Sequence, residues 1–169
     1  MIQMIENIFV AKQSGQMLQS ATEVQVVQGY GITGDRYFSK RKYSAKNITF
    51  IESEVIDAYN ERYQQSISRD CLRRNVITNN VDLNELVGKK FSIGGAVFYG
   101  VELCEPCIKL GSYLSNDVMP KWKVVNAFLR KGGLRAEVVE GGIISIGMAF
   151  IITWSFFKFY KSLIILRAF

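Results

Sequence analysis

Apolar and polar residues alternate with a period of two in "MIENIFVAK" and again in "TEVQVVQGYGI", the repeat of strands that bury one face. The two runs are expected to form a β-pair joined through the polar "QSGQMLQSA". "GYGITGDRYF" follows as a loop in which Gly29, Gly31 and Gly34 permit turns that side chains would block, so that Asp35 and Arg36 are brought to a fixed place. "KNITFIES" is a further strand. The period then lengthens: Val55, Ile56, Tyr59 and Tyr63 lie at helical spacing within "EVIDAYNERYQ", Glu54 to Gln64, with Ser53 as the expected N-cap.

The strand pattern returns at Val76 and Ile77, just after two arginines, and "VDLNELVGKKF" offers one helical turn ended by Gly88. "KFSIGG" and "AVFYGVEL" read as two strands joined by a tight turn at Gly94 and Gly95. "NAFLRKGGLRAEVVEGGIISIGMAFII" predicts a short helix, a Gly-Gly break and a second hairpin across Gly141 and Gly142. Short strands with glycine turns and two or three inserted helices point to an all-β barrel or sandwich.

At 169 residues and 49% apolar, the chain is long enough for one domain with a real core. Lys and Arg number 21 against 15 Asp and Glu, a net charge of +6, which admits phosphates, nucleic acid or anionic lipid as partners. The charges are scattered, as on an ordinary solvated surface. The aromatics follow core periodicity without a basic-aromatic stripe, so no nucleic acid is expected. Histidine is absent, which removes Ser-His and Cys-His catalysis and H-E-x-x-H zinc sites.

The three cysteines, Cys71, Cys104 and Cys107, and an N-terminal run without a basic leader or cleavage site predict a reducing, cytoplasmic setting. Two of them fall in "VELCEPCIKLG". A structural zinc site would need about four ligands, and the pair supplies two. A thioredoxin-type couple expects a βαβ context, whereas these residues follow a hairpin. A third reading has the strand stopped by Pro106 and "CIKLGSYL" starting a helix at Cys107, where the backbone dipole and Lys109 favour a thiolate. Two buried, inert thiols are the fourth.

Taken together, "GITGDRYF", "RRNVITNNVDLNELVGKKFSIGGAVFYGVELCEPC" and "KGGLRAEVVEGGIISIG" resemble a MOSC domain, the module named after the C-terminal part of molybdenum-cofactor sulfurases, here in its stand-alone bacterial form. The resemblance runs from about Gly29 to Gly147. It implies a closed, strand-rich β-barrel over residues 1–153 with two to four short peripheral helices. It also implies a pocket whose signature residue, the cysteine of the Pro-Cys pair, is Cys107. In the wider family that cysteine is a ligand to molybdenum in amidoxime-reducing enzymes or a proposed carrier of sulfane sulfur. Cys104 is an accompanying position in the similar "CEPC" subgroup.

The resemblance therefore predicts a molybdenum-pterin cofactor, with no zinc, NAD, flavin or pyridoxal phosphate required. The reaction it implies is reduction of N-hydroxylated compounds, or sulfur transfer, with a separate electron-donor reductase or sulfur-donating desulfurase as partner. The alternative is a non-catalytic module that binds an anionic ligand. A soft thiolate suits molybdenum or sulfur. Arg73 and Arg74 suit the cofactor's phosphate through paired hydrogen bonds. We expect Arg73 and Asn75 on one strand face, one arginine inward and one outward, with Arg36 and Arg135 as further anion contacts. Asp35 either holds Arg36 or Arg73 or caps a turn. Glu102 either faces the pocket as a proton carrier or faces solvent.

Two departures stand out. Relatives often carry a histidine near "KNITFIES", where this chain has Asn47, and an acid where it has Met148. After them, 154–169 forms an apolar tail whose helical projection separates Ser155, Lys158, Lys161 and Ser162 from Phe156, Tyr160, Leu163 and Ile164. Such a segment packs on the barrel, binds a partner or lies on a membrane surface; the uncharged run from Ile143 to Phe157 is too short for the ~20 residues of a spanning helix.

Overall fold

The computed structural model describes residues 1–38 and 47–152; the predicted tail, 154–169, lies outside them. The strands are β1 (Met4–Val10), β2 (Gln19–Ala21), β3 (Glu23–Val27), β4 (Gly31–Ile32), β5 (Ile48–Glu52), β6 (Val76–Asn79), β7 (Lys90–Ile93), β8 (Ala96–Leu103), β9 (Leu134–Glu140), β10 (Gly142–Ser145) and β11 (Phe150–Ile151). The helices are α1 (Ser53–Tyr63), α2 (Ile108–Leu114) and α3 (Lys121–Ala127), with a single 3-10 turn at Asn84–Leu86. One sheet has eight strands in the order β11-β7-β8-β9-β5-β6-β1-β2, and a second has three, β10-β3-β4. β5 and β6 are parallel.

The burial of β5 explains why "ITFI" shows no alternation. Ile48 and Phe50 enter the main core between the sheets, while Ile51, one residue on, enters a second cluster under the helices. Val76 and Ile77 of β6 divide in the same way. In the main core Phe50 meets Phe91 and Phe98 edge-on at 5.6 and 5.7 Å, and Phe91 stacks on Phe98. Each such ring contributes about 1.5–3 kcal/mol by leaving water. The second cluster joins α1, α2 and α3 to the back of β5 and β6 through Ile56, Leu72, Leu110, Leu114 and Phe128. The Cys107 segment is thereby carried on a packed support.

Among the described residues the ladders do not run round into a closed ring: β11 and β2 are the two ends of the large sheet. Backbone hydrogen bonds Ile5 N to Met148 O (3.0 Å) and Phe150 N to Gln3 O (2.9 Å), with one bridge from Met4 to Ala149, bring the β11 end beside β1.

Two expected pairings are replaced. β1 takes β2, inside the polar connection, as its hairpin partner, and β3 pairs with β10 and β4 in the other sheet. There is correspondingly no hairpin across Gly141 and Gly142, since β9 pairs with β8 and β5. The glycines serve close approach instead: a Cβ on Gly141 would stand 2.9 Å from Val26 O, and one on Gly142 3.1 Å from Ala96 N. Ser53 is the first residue of α1, and the N-cap is Glu52, without a side-chain cap bond. The helix before the Gly-Gly break starts earlier than expected, at Lys121 rather than near Asn126.

Glu52 has one carboxylate oxygen on the Leu83 N–H, at 3.2 Å, and the other buried without a partner. Burial pushes its carboxyl above the usual carboxylate range, aided by Asp82 and Glu54. The folded state therefore holds this proton more tightly than the unfolded chain. Stability falls as pH rises from the unfolded value, about 4.5, through the folded one. Glu52→Gln, which keeps the acceptor for Leu83, should unfold at higher urea than wild type at pH 7, and the gap should close below pH ~4. A gap unchanged between pH 4 and 7 would count against this.

Candidate functional site

β8 delivers the chain to the site. Its end is fixed where the Cys104 N–H donates to Gly133 O at 2.7 Å, and Pro106, which has no N–H, takes the chain out of the sheet. Cys107 is extended (φ −122, ψ 168) and is the N-cap of α2, as the third reading of the pair expected. α2 packs on α3 at Gly111, where a Cβ would stand 2.9 Å from Lys121 O. Cys107 is exposed and Cys104 is buried; all three cysteines are free thiols. Burial pushes the Cys104 thiol up, against the pull of Arg74 and Arg135. It stays protonated at neutral pH.

Cys107 stands in a cleft of about 180 Å³, together with Arg36, Arg73, Arg74, Lys109 and Arg135. Tyr37 and Tyr113 form part of its wall, and Glu105 is the one carboxylate among the described lining residues. Each arginine is held by a different element. Arg36 is nearly buried, donating to Asp35 Oδ1 at 3.1 Å and to Arg73 O at 2.8 Å, with its guanidinium 4.5 Å from the Tyr37 ring centre. Arg73 donates to Gln16 O at 2.7 Å. Arg74 donates through Nε to Gly132 O at 2.8 Å and through Nη1 to Leu72 O at 3.1 Å. Arg135, on β9, donates to Glu102 Oε1 at 2.7 Å, across the Glu102–Arg135 register pair.

Of the residues predicted from sequence, the cleft gathers Cys107, Arg36, Arg73 and Arg135. Asp35 and Glu102 stand behind Arg36 and Arg135 as their acceptors. Asn75 does not join Arg73 on one face. It is fully buried, its Oδ1 accepting from Thr49 N (3.2 Å) and Thr49 Oγ1 (2.9 Å) and its Nδ2 donating to Phe9 O at 3.3 Å. The physical reason is that β6 begins only at Val76, and Arg73 has φ +58. In that turn strand alternation does not apply, so Arg73 and Arg74 both reach the cleft.

Lys109 stands at the cleft as the cationic neighbour of Cys107 that the sequence pointed to, whereas Tyr113 was visible only as part of the helix that starts there. Ser14 and Gly15, also at the cleft, had no sequence signal. Among the described residues no group of three or more Cys, Asp or Glu side chains converges on a metal position, and no helix is long and apolar enough to cross a membrane.

The sequence matches the MOSC domain family over residues 32–150. This chain is a member of the MOSC family. Three solved structures share its fold. The YuaD protein of Bacillus subtilis superposes with a TM-score of 0.77 at 18% identity, over 89% of this chain and 94% of its own. YiiM of Geobacillus stearothermophilus gives 0.70 at 18%, over 90% and 75%. YiiM of Escherichia coli gives 0.67 at 14%, over 91% and 70%. No curated protein of similar sequence was found.

In this MOSC domain Asn47 is a buried brace whose Oδ1 accepts the Val138 N–H at 3.1 Å. Met148 packs on the β7–β8 turn, its Sδ 3.1 Å from where a Gly94 Cβ would stand. Neither lines the Cys107 cleft.

Proposed function

We propose that this MOSC protein uses the Cys107 cleft to hold the phosphate-bearing end of a molybdenum-pterin cofactor, with Cys107 as thiolate ligand to the metal or as carrier of sulfane sulfur. The observation that carries the reading is one exposed thiol sharing a small cleft with five cationic side chains. The donor set fits the cofactor's chemistry, since a soft thiolate suits molybdenum or sulfur and guanidinium forks suit phosphate. The volume fits one end of it, because sites that enclose a whole drug-sized ligand span roughly 300–1,000 Å³. Bound there, a molybdenum centre would supply two-electron removal of oxygen from an N-hydroxylated compound.

The chain's own residues do the remaining work. Arg73, Arg74 and Lys109 bind the anion; Asp35 and Glu102 hold the Arg36 and Arg135 guanidinium groups in orientation. Cys104, buried and protonated, supports the turn from behind. Electrons would come from a separate reductase, or sulfur from a desulfurase, in a reducing compartment. The alternative of two inert, buried cysteines is disfavoured by the exposure of Cys107.

The test is purification from a host that makes the cofactor, followed by assay of molybdenum, pterin fluorescence and persulfide. Wild type should carry cofactor or persulfide, and Cys107→Ser should lose it. In the folded protein iodoacetamide should modify Cys107 and leave Cys104 untouched until urea unfolds the chain. Wild type with neither species and an unreactive Cys107, or full retention by Cys107→Ser, would overturn the proposal.

A further inference from the structure

A second cavity, of about 350 Å³, lies between α1 on one side and the Asn84 turn and the end of α3 on the other. It shares no lining residue with the Cys107 cleft. Two polar atoms of its lining residues, Glu52 Oε2 and the Tyr59 hydroxyl, are buried without a hydrogen-bond partner. Tyr59 is 4% exposed, and its ring is fixed by stacking on Phe128 at 4.7 Å and leaning on Tyr63 at 5.3 Å, so the hydroxyl cannot swing out to water. A buried polar group left without a partner has given up its hydrogen bonds to water with nothing in exchange. Two such groups at one cavity call for an occupant, and the space far exceeds the roughly 30 Å³ that one water occupies.

The chemistry of the lining defines that occupant. Tyr59 is a donor in need of an acceptor, and Glu52 Oε2 is an acceptor in need of a donor; one alcohol group offers both. Val55, Ala58 and Ala127 give the cavity a small apolar wall, while Arg62, Arg130 and Lys131 are exposed cations at its opening. Glu54, the acid beside them, already accepts from Asn80 N at 2.7 Å and Ser53 Oγ at 3.3 Å. Two arginines and a lysine suit phosphate, which arginine meets through paired hydrogen bonds. We propose that this cavity binds a small polyol phosphate, with a hydroxyl between Glu52 and Tyr59 and the phosphate on Arg62, Arg130 and Lys131. The site is independent of the chemistry assigned to Cys107.

The probes are glycerol 3-phosphate and glucose 6-phosphate, compared with propyl phosphate, which has no hydroxyl, and glycerol, which has no charge. Binding is read by calorimetry and by the unfolding temperature of the full chain at low salt. At least one polyol phosphate should bind saturably and raise the midpoint, about tenfold more tightly than propyl phosphate, a difference of ~1.4 kcal/mol. Tyr59→Phe keeps the stacked ring and should erase the preference for the hydroxylated ligand; Glu52→Gln keeps the Leu83 bond but turns the acceptor at Oε2 into a donor, and should reduce that preference. Arg130→Ala with Lys131→Ala should weaken both phosphates equally. Arg73→Ala, which weakens phosphate held at the Cys107 cleft, should leave the preference for the hydroxylated ligand intact. The proposal is overturned if no polyol phosphate binds at millimolar concentration, if propyl phosphate binds as well as glycerol 3-phosphate, or if Arg73→Ala rather than Tyr59→Phe removes binding.

Discussion

Gly132→Ala should destabilise the protein by roughly 3–5 kcal/mol, among the largest effects of any single methyl group in the chain. The added Cβ would stand 1.8 Å from Cys104 O and 3.0 Å from Cys104 C, with Arg74 Nη2 at 3.5 Å. The obstacle is backbone, not the flexible end of a side chain. Cys104 cannot retreat, because its N–H is bonded to Gly133 O, and Gly133 is itself held with φ +92 where a Cβ would meet Phe50 O at 1.9 Å. The Gly-Gly pair is thus the point at which the end of β8, the start of β9 and β5 pass one another. Gly132 O is also the acceptor for Arg74 Nε. Urea unfolding should show a lowered midpoint, and Cys104 should become alkylatable in the folded state. Gly95→Ala, in open space without a positive φ, is the control and should move the midpoint little. A Gly132→Ala protein with the wild-type midpoint would mean that the strands can separate without cost.

What could be read from sequence follows from how local its cause is. The β7–β8 hairpin, α1 and the helix start at Cys107 were legible because the glycine turn, the 3.6-residue spacing and Pro106 each act within a few residues. The partners of β3 and β10 were not. Alternation says which face of a strand is buried and is silent on which strand lies beside it. Gly141 and Gly142 were ambiguous for a related reason: the same dipeptide suits a tight turn or a close crossing, and only the neighbours Val26 and Ala96 decide. Arg73 and Asn75 were misplaced because a period-two rule was extended three residues before the strand begins. Asp35 was legible as a fixed point after a glycine loop, yet the choice of Arg36 as partner, and of Ala11 as the distant N–H it accepts, depends on the packed fold.

Asp35→Ala should cost about 3–5 kcal/mol, as expected when one member of a buried ion pair is removed. The Asp35 side chain is 1% exposed and that of Arg36 4%. Asp35 Oδ1 accepts from Ala11 N at 3.0 Å and from Arg36 Nη1, and Oδ2 accepts from Tyr37 N at 3.0 Å. Alanine would therefore strand two backbone donors and leave a buried guanidinium with Arg73 O as its remaining acceptor among the described residues. The sign of the second mutation tests the cause. If the stranded charge dominates, Arg36→Met in the Asp35→Ala background should raise the urea midpoint again, because methionine fills similar space without a charge to solvate. If lost backbone bonds dominate, the double variant should be no more stable than Asp35→Ala. Recovery of the fold should not recover the cleft. Arg36 Nη2 steadies the positive-φ turn at Arg73, so the double variant should still bind inorganic phosphate at the Cys107 cleft more weakly than wild type, by about tenfold or ~1.4 kcal/mol. A double variant that regains stability yet binds phosphate as wild type does would show that Arg73 holds its position without Arg36.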